Sequence, residues 1–271
     1  MRISFIGLGH LNSAIVAGLL ADGYDRDNIV ATTHSAASAA TRRQEFGISV
    51  TAEEDSPGTN AQAVADADIV VLGVKPFHIV DTAQSLADAL RPETVVVSVA
   101  AGTTLATLTS ALPEGQPVVR TMPNVALTVG KGAVGLARGA TVTDEQVAQV
   151  ERLFAASGTV FHLPEDQLNA LAAMAGSGPG YVFRFVNALA AGGMALGLDE
   201  HVAQELARLT VVGAGAMLDT DDADPAALED SIATEGGVTE AALNSLDAND
   251  FNQVIVQALQ ANVTRSQELG A

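Results

Sequence analysis

Short apolar runs and helical patterns alternate through the first half of the chain. Ile3–Ile6, Ile29–Thr32, Ile69–Val74, Val95–Val99 and Val118–Thr121 are strand-length runs, and stretches such as Leu11–Ala21 and Ile79–Leu90 between them carry apolar residues at helical spacing. Parallel neighbours need a crossover of about a dozen residues, so this rhythm predicts an α/β fold with a parallel, helix-covered sheet. Weaker strand signals follow at Gly132–Ala137 and Thr159–Leu163, with a helical stretch at Asp144–Ala156 between them. From Glu165 onward strand signals stop. Alanine- and leucine-rich stretches at Asp166–Ala175, Tyr181–Leu196, Glu200–Leu218, Thr239–Leu246 and Asn249–Glu268 predict an all-α second domain. The expected boundary lies at Leu163-Pro164, giving domains of 1–163 and 164–271.

Several helices of the second half are apolar on more than one face. Val182, Phe183, Val186, Leu189 and Ala190 form one such set and Leu206, Leu209, Val212 and Met217 another. A small helical domain cannot hide all of them by itself, so self-association through an identical subunit is expected. Two glycine clusters interrupt the same region, Gly176-Ser177-Gly178-Pro179-Gly180-Tyr181 and Thr234-Glu235-Gly236-Gly237-Val238-Thr239. Each glycine costs a helix roughly 1 kcal/mol relative to alanine, so the clusters point to close approach of a ligand or a partner chain.

Composition narrows the function classes. The 271 residues carry a formal net charge of −19 with 13 Lys and Arg residues, which argues against nucleic acid as a partner. No apolar run approaches the roughly 18 residues that would span a membrane. Met1-Arg2-Ile3-Ser4-Phe5-Ile6 reads as a first strand, not a secretory leader, and cytoplasm is the expected compartment. Without cysteine there is no thiolate nucleophile or thiolate metal site, and no metal is expected. Asp219, Asp221, Asp222 and Asp224 read as a solvated loop in preference to a cation site.

Candidate chemistry begins directly after the first strand, where Gly7-Leu8-Gly9-His10-Leu11-Asn12 opens a helical pattern. The first glycine permits a tight turn and the second lets the backbone approach a pyrophosphate at the helix N-terminus. Asn12 stands where a third small residue is usual. The second strand ends in Thr32-Thr33-His34-Ser35, without the Asp or Glu that binds the ribose hydroxyl of NAD. These groups, backed by Arg42 and Arg43, would accommodate a 2′-phosphate, so NADPH is preferred with NADH possible. Gly73-Val74-Lys75-Pro76 and Val99-Ala100-Ala101-Gly102 close further predicted strands at the ends where such sheets bind ligands.

With Gly7-Leu8-Gly9-His10-Leu11, Val74-Lys75-Pro76, Ala101-Gly102, Arg120-Thr121-Met122-Pro123-Asn124, Gly176-Ser177-Gly178-Pro179 with Tyr181, and Gly236-Gly237 before Thr239-Glu240-Ala241-Ala242-Leu243, the chain resembles the pyrroline-5-carboxylate reductases over nearly its whole length. The resemblance implies an N-terminal Rossmann-type doubly wound sheet, an all-α dimerisation domain, and reduction of a cyclic imine to proline in proline biosynthesis. It implies nucleotide contacts from Gly7, Leu8, Gly9, His10, Leu11, Asn12, Thr33, His34, Ser35, Asn60, Val74, Lys75 and Pro76, with Ala100, Ala101, Gly102 and Asn124 completing the cofactor set. It implies substrate contacts from Thr234, Gly236, Gly237, Val238 and Thr239, with successive amides cradling the carboxylate and the catalytic Thr239 hydroxyl bonding the ring nitrogen. The chain departs from the family in having Thr234-Glu235 for Ser-Pro, Val125-Ala126 for Thr-Pro, Gly180 for alanine, and Asn187 where many bacterial members carry glutamate. These departures keep open an imine reductase for another cyclic imino acid, or a catalytically silent NADP-binding sensor.

Overall fold

The computed structural model describes residues 1–220 and 222–270. Asp221, one member of the acidic stretch, therefore lies outside the described residues. Eight strands among them form one sheet: β1 Ile3–Ile6, β2 Ile29–Thr33, β3 Ser49–Ala52, β4 Ile69–Leu72, β5 Val95–Ser98, β6 Val118–Pro123, β7 Gly132–Arg138 and β8 Gly158–His162. Their order is β3-β2-β1-β4-β5-β6-β7-β8. The order reverses at β1, where β2 and β3 wind one way and β4 to β6 the other. Between them run α1 His10–Ala21, α2 Ala36–Phe46, α3 Thr59–Val64, α4 Ile79–Leu86, α5 Leu105–Ser110 and α6 Asp144–Glu151.

β1, β4 and β5 are buried along their whole length, which is why they read as apolar runs broken only by Ser4 in β1 and Ser98 at the end of β5. Two apolar clusters pack on the sheet, one containing Ile3, Phe5 and Ile15 and the other Ile6, Leu72 and Leu86. Each such side chain contributes about 1.5–3 kcal/mol of burial free energy.

The sheet is parallel, as expected, except at one pairing. β6 and β7 are antiparallel, Thr121 pairing with Leu136, while β7 and β8 are parallel. The connection over 124–131 holds only the short 3-10 segment Val125–Val129, too little chain for the crossover of about a dozen residues that a parallel return requires. Two elements had no expectation in the sequence pattern. β3 is a four-residue strand whose burial alternates, with β2 as its partner. The other is a helix over Pro225–Ile232.

The chain divides into two compact units. The first comprises Met1–Ser177 with the residues from Asn262 onward, and the second is Gly178–Ala261. In the first unit the expected Asp166–Ala175 helix is broken into a 3-10 turn, the single turn α7 Leu168–Leu171, and a π-helical stretch Ala172–Gly176. In the second unit, α8 Gly178–Ala195 and α9 Glu200–Leu218 pack together, and α10 Pro225–Ile232, α11 Val238–Ala248 and the first part of α12 Phe251–Gly270 follow. Asp224 begins α10 by accepting from the Ala226 amide at 3.1 Å, and Pro225 fits the first helical position. Phe183, Leu206, Leu209, Val212 and Met217 are exposed, as the two-faced helical pattern requires. No helix among the described residues is long and apolar enough to cross a membrane.

Candidate active site

The loop between β1 and α1 is shaped by two glycines with different tasks. Gly7 has φ +83°, a left-handed conformation, and a Cβ there would lie 3.1 Å from Val74 Cγ1 and 3.2 Å from the Gly73 carbonyl. Gly9 has extended backbone as the N-cap of α1, and its missing Cβ would meet nothing within 4 Å. No side chain caps this helix and none in its first turn is acidic, so its leading amides face an open cavity.

Asn12 lies beneath the loop and is 2% exposed. Its Nδ2 donates to the Gly7 carbonyl at 3.0 Å, and the amide fills the space over Gly73, where a Cβ would come within 2.2 Å of Nδ2. The small residue is thus moved from the helix to Gly73, just past β4, and a bulkier third position is tolerated. Asn12 Oδ1 has no hydrogen-bond partner although it is buried.

A cavity of about 920 Å³ opens at the carboxyl ends of the parallel strands. Gly7, Leu8, Gly9, His10 and Leu11 line it from the glycine loop, and Thr33, His34 and Asn60 from the side of β2 and α3. Val74, Lys75 and Pro76 contribute from the end of β4, and Ala100 and Ala101 from the end of β5. The structure therefore brings most of the expected cofactor residues to one cavity. Asn12, Ser35, Gly102 and Asn124 are not part of its lining.

Each of these four has other work or another place. Ser35 caps α2, accepting from the Ser38 amide at 3.3 Å, and Thr33 donates to the Ser35 carbonyl at 3.0 Å. Gly102 turns the chain with φ +81°. Asn124 is 8% exposed and uses both ends of its amide: Oδ1 accepts from the Ala133 N–H at 3.1 Å and Nδ2 donates to the Ala175 carbonyl at 3.0 Å. It ties the end of β6 to β7 and to the π-helical stretch. Nearby, Arg120 is almost fully buried and donates to Glu165 Oε1 at 3.0 Å, which also accepts from the Leu105 amide at 2.6 Å.

Two further residues not singled out in the sequence are Glu53, at this site, and its neighbour Glu54. Glu53 lines the cavity and accepts from the amides of Gly58 at 3.1 Å and Asn60 at 3.3 Å. Glu54 accepts from the Ala36 amide, the first of α2, at 2.6 Å. The alternating Ser49-Val50-Thr51-Ala52 was the signal that could have found them, since it marks a strand ending beside β2.

In the second unit, Thr234 to Thr239 form a turn that opens α11. Gly236 has φ +71°, and its amide donates to Glu240 Oε2 at 2.8 Å. The Gly237 amide donates to the Thr234 carbonyl at 2.8 Å. Of the four amides expected to cradle a carboxylate, two are thus already bonded within the loop, and those of Val238 and Thr239 begin the helix. Glu235 is exposed.

Comparison with known proteins agrees with this arrangement. Residues 165–269 match the sequence model described as pyrroline-5-carboxylate reductase dimerisation, and residues 2–102 match that described as NADP oxidoreductase, coenzyme F420-dependent. The pyrroline-5-carboxylate reductase of Pseudomonas aeruginosa is 39% identical over 269 residues, covering 99% of this chain and 96% of its own length. The chain belongs to the pyrroline-5-carboxylate reductase family. The reductase of Arabidopsis thaliana is 32% identical, with 99% of this chain and 95% of its own covered. A solved reductase from Coxiella burnetii superposes with a TM-score of 0.91 at 33% identity, covering 100% of this chain and 98% of its own. A Plasmodium falciparum pyrroline carboxylate reductase solved with NADP bound shares the fold, with a TM-score of 0.84 at 23% identity over 100% and 98% of the two chains. Membership fixes the helical region as the family's dimerisation region and the sheet as a Rossmann-type nucleotide fold.

Proposed function

We propose that this chain reduces 1-pyrroline-5-carboxylate to proline with NADPH, working as a self-associated enzyme in the cytoplasm. The observation that carries the reading is the full-length kinship with pyrroline-5-carboxylate reductases, at 39% identity over 99% of the chain. The domain expectation of 1–163 for the nucleotide and 164–271 for substrate and association is part of the proposal.

The residues present fit a dinucleotide. Open space over Gly9, uncapped amides at the start of α1 and a cavity of about 920 Å³ at the sheet's carboxyl edge form a cradle for an extended phosphate-bridged molecule. The amides of His10 and Leu11 would hold the pyrophosphate, Thr33, His34 and Asn60 the adenosine end, and Val74, Pro76, Ala100 and Ala101 the opposite end. Lys75 adds a positive charge to a strongly acidic chain. Asn12, Ser35, Gly102 and Asn124 support the cavity's walls and turns instead of touching the cofactor. When bound, NADPH supplies a hydride.

The protein's share is positioning. The Val238 and Thr239 amides would donate to the imino acid's carboxylate at the N-terminus of α11, with Thr234, Gly236 and Gly237 shaping the turn that presents them. The Thr239 hydroxyl would hydrogen-bond the ring nitrogen and hold the imine carbon in line for transfer, with the proton arriving already on the substrate or through Thr239 and water. Selectivity for a small anion fits local amides within a protein of net charge −19, a charge that disfavours nucleic acid.

The test is NADPH oxidation by the purified chain with pyrroline-5-carboxylate, run beside pyrroline-2-carboxylate and the six-membered piperideine carboxylate. Fastest turnover with the first supports the reading. Activity confined to an analogue would reassign the substrate to the Glu235, Val125 and Asn187 differences, and tight NADPH binding without turnover of any imine would make the chain a sensor.

A further inference from the structure

The turn after β2 receives a carboxylate that its own sequence lacks. β3 runs parallel to β2, and the pairing continues past both strands: the Glu53 amide donates to the Thr33 carbonyl at 2.9 Å and the Glu54 amide to the His34 carbonyl at 3.2 Å. Glu53 then turns to the start of α3, bonding the Gly58 and Asn60 amides. Glu54 turns to the start of α2 and takes the Ala36 amide at 2.6 Å.

In doubly wound folds the end of the second strand is where the adenosine ribose lies. A carboxylate there accepts from a 2′-hydroxyl, and a cation or free amide there favours a 2′-phosphate. His34 and Ser38 line the cavity at this position, one on each side of Ala36 in the sequence. A 2′-phosphate seated there would face the negative charge of Glu53, which lines the cavity, and would find the Ala36 amide already engaged by the Glu54 carboxylate. The cations of α2 do not offset this. Arg42, one turn beyond Ser38, is ion-paired with Glu45, and Arg43 is exposed on the following position.

We propose that Glu54 is a specificity-determining residue that holds down the preference for NADPH, so that the native chain also works with NADH. The inference rests on the functional reading above. It differs from the expectation drawn from Thr33, His34 and Ser35 because the deciding carboxylate comes from the neighbouring strand.

The experiment compares the full-length wild type with Glu54→Gln, which keeps an oxygen acceptor for the Ala36 amide and removes the charge. Dissociation constants for NADPH and NADH are measured by fluorescence titration without substrate, and kcat/KM for each is measured with pyrroline-5-carboxylate. The NADPH-to-NADH ratio of binding constants is expected to rise about tenfold in the variant, with NADH binding changed by less than about twofold and the gain shrinking at high salt. An unchanged ratio, or an equal loss for both nucleotides, would overturn the proposal and leave the functional reading standing. Binding of neither nucleotide by the wild type would overturn both.

Discussion

Gly7 and Gly9 sit two residues apart in one loop, yet replacing each by alanine should damage different properties. At Gly7 the φ of +83° costs an L-residue about 1–2 kcal/mol by itself. The added Cβ would lie 3.1–3.2 Å from Val74 Cγ1 and the Gly73 backbone, and crowding of that kind adds to the cost. A total of about 2 kcal/mol corresponds to a drop in Tm of roughly 4–8 °C for a domain of this size. At Gly9 the backbone is extended, at φ −81° and ψ −168°, and the new methyl would meet nothing within 4 Å. The roughly 0.5–1 kcal/mol lost when alanine replaces an N-cap glycine is largely offset by the smaller entropy of the unfolded chain, so stability should stay within about 0.5 kcal/mol. The methyl would instead stand in the space assigned to the pyrophosphate and weaken NADPH by about tenfold or more. Scanning fluorimetry of the unliganded proteins and NADPH titration separate the two effects. A Gly9→Ala protein that binds NADPH normally, or a Gly7→Ala protein that melts like wild type, would refute the division of labour.

On the proposed reading Thr239→Ala should lower kcat/KM for the imine by about tenfold while leaving the NADPH dissociation constant unchanged, because it would remove the hydrogen bond assigned to the ring nitrogen; weaker NADPH with normal catalysis would contradict that role. Arg120→Met should cost about 1–3 kcal/mol in urea unfolding, since it leaves the part-buried Glu165 carboxylate with the Leu105 amide but without its guanidinium partner, whereas Arg138→Met, which loses only an exposed partner in Asp144, should cost less than about 0.5 kcal/mol. Asp68 has its pKa lowered: burial pushes it up, but the Arg2 amide at 2.7 Å and the Arg91 guanidinium at 2.8 Å outweigh that. Its contribution to stability is therefore complete above the unfolded carboxyl value of about 3.9 and is lost as pH falls through the lower folded value. The Tm difference between wild type and Asp68→Asn should accordingly shrink below about pH 4, and a gap that stays constant down to about pH 2.5 would exclude the carboxylate as its source.

The sequence was most legible where burial is greatest. β1, β4 and β5 are covered on both faces, so all of their residues but Ser4 and Ser98 are apolar. β3 escaped notice because an edge strand with alternating burial shows only Val50 and Ala52 as apolar. α10 was hidden by the acidic residues before it, although Asp224-Pro225 is a readable helix start. The reversal at β7 was legible in principle, since 124–131 is too short for a crossover, but strand direction leaves no mark on hydrophobic pattern. The candidate cofactor residues were found where a motif is contiguous along the chain. Glu53 and Glu54 were not, because their meaning comes from the β2–β3 ladder, and Asn12 could be understood only once Gly73 was seen beneath it.

That last pairing bears on how a strongly acidic chain can serve anionic ligands. The long-range field of a protein of net charge −19 opposes both a dinucleotide and an imino acid, so attraction must be generated within hydrogen-bond range. α1 meets this need by keeping acidic residues out of its first turn and a side-chain cap off its N-terminus, leaving bare amides. α11 meets it differently. Glu240 stands in its first turn, but its carboxylate is folded back onto the Gly236 amide, where it stiffens the turn. α2 does the opposite, with Glu54 on its first amide. Three helix starts thus differ in one feature, whether a carboxylate already occupies the leading amides. On the proposed reading that feature matches the ligand each would meet: a pyrophosphate at α1, a carboxylate at α11, and at α2 a ribose whose second phosphate is discouraged.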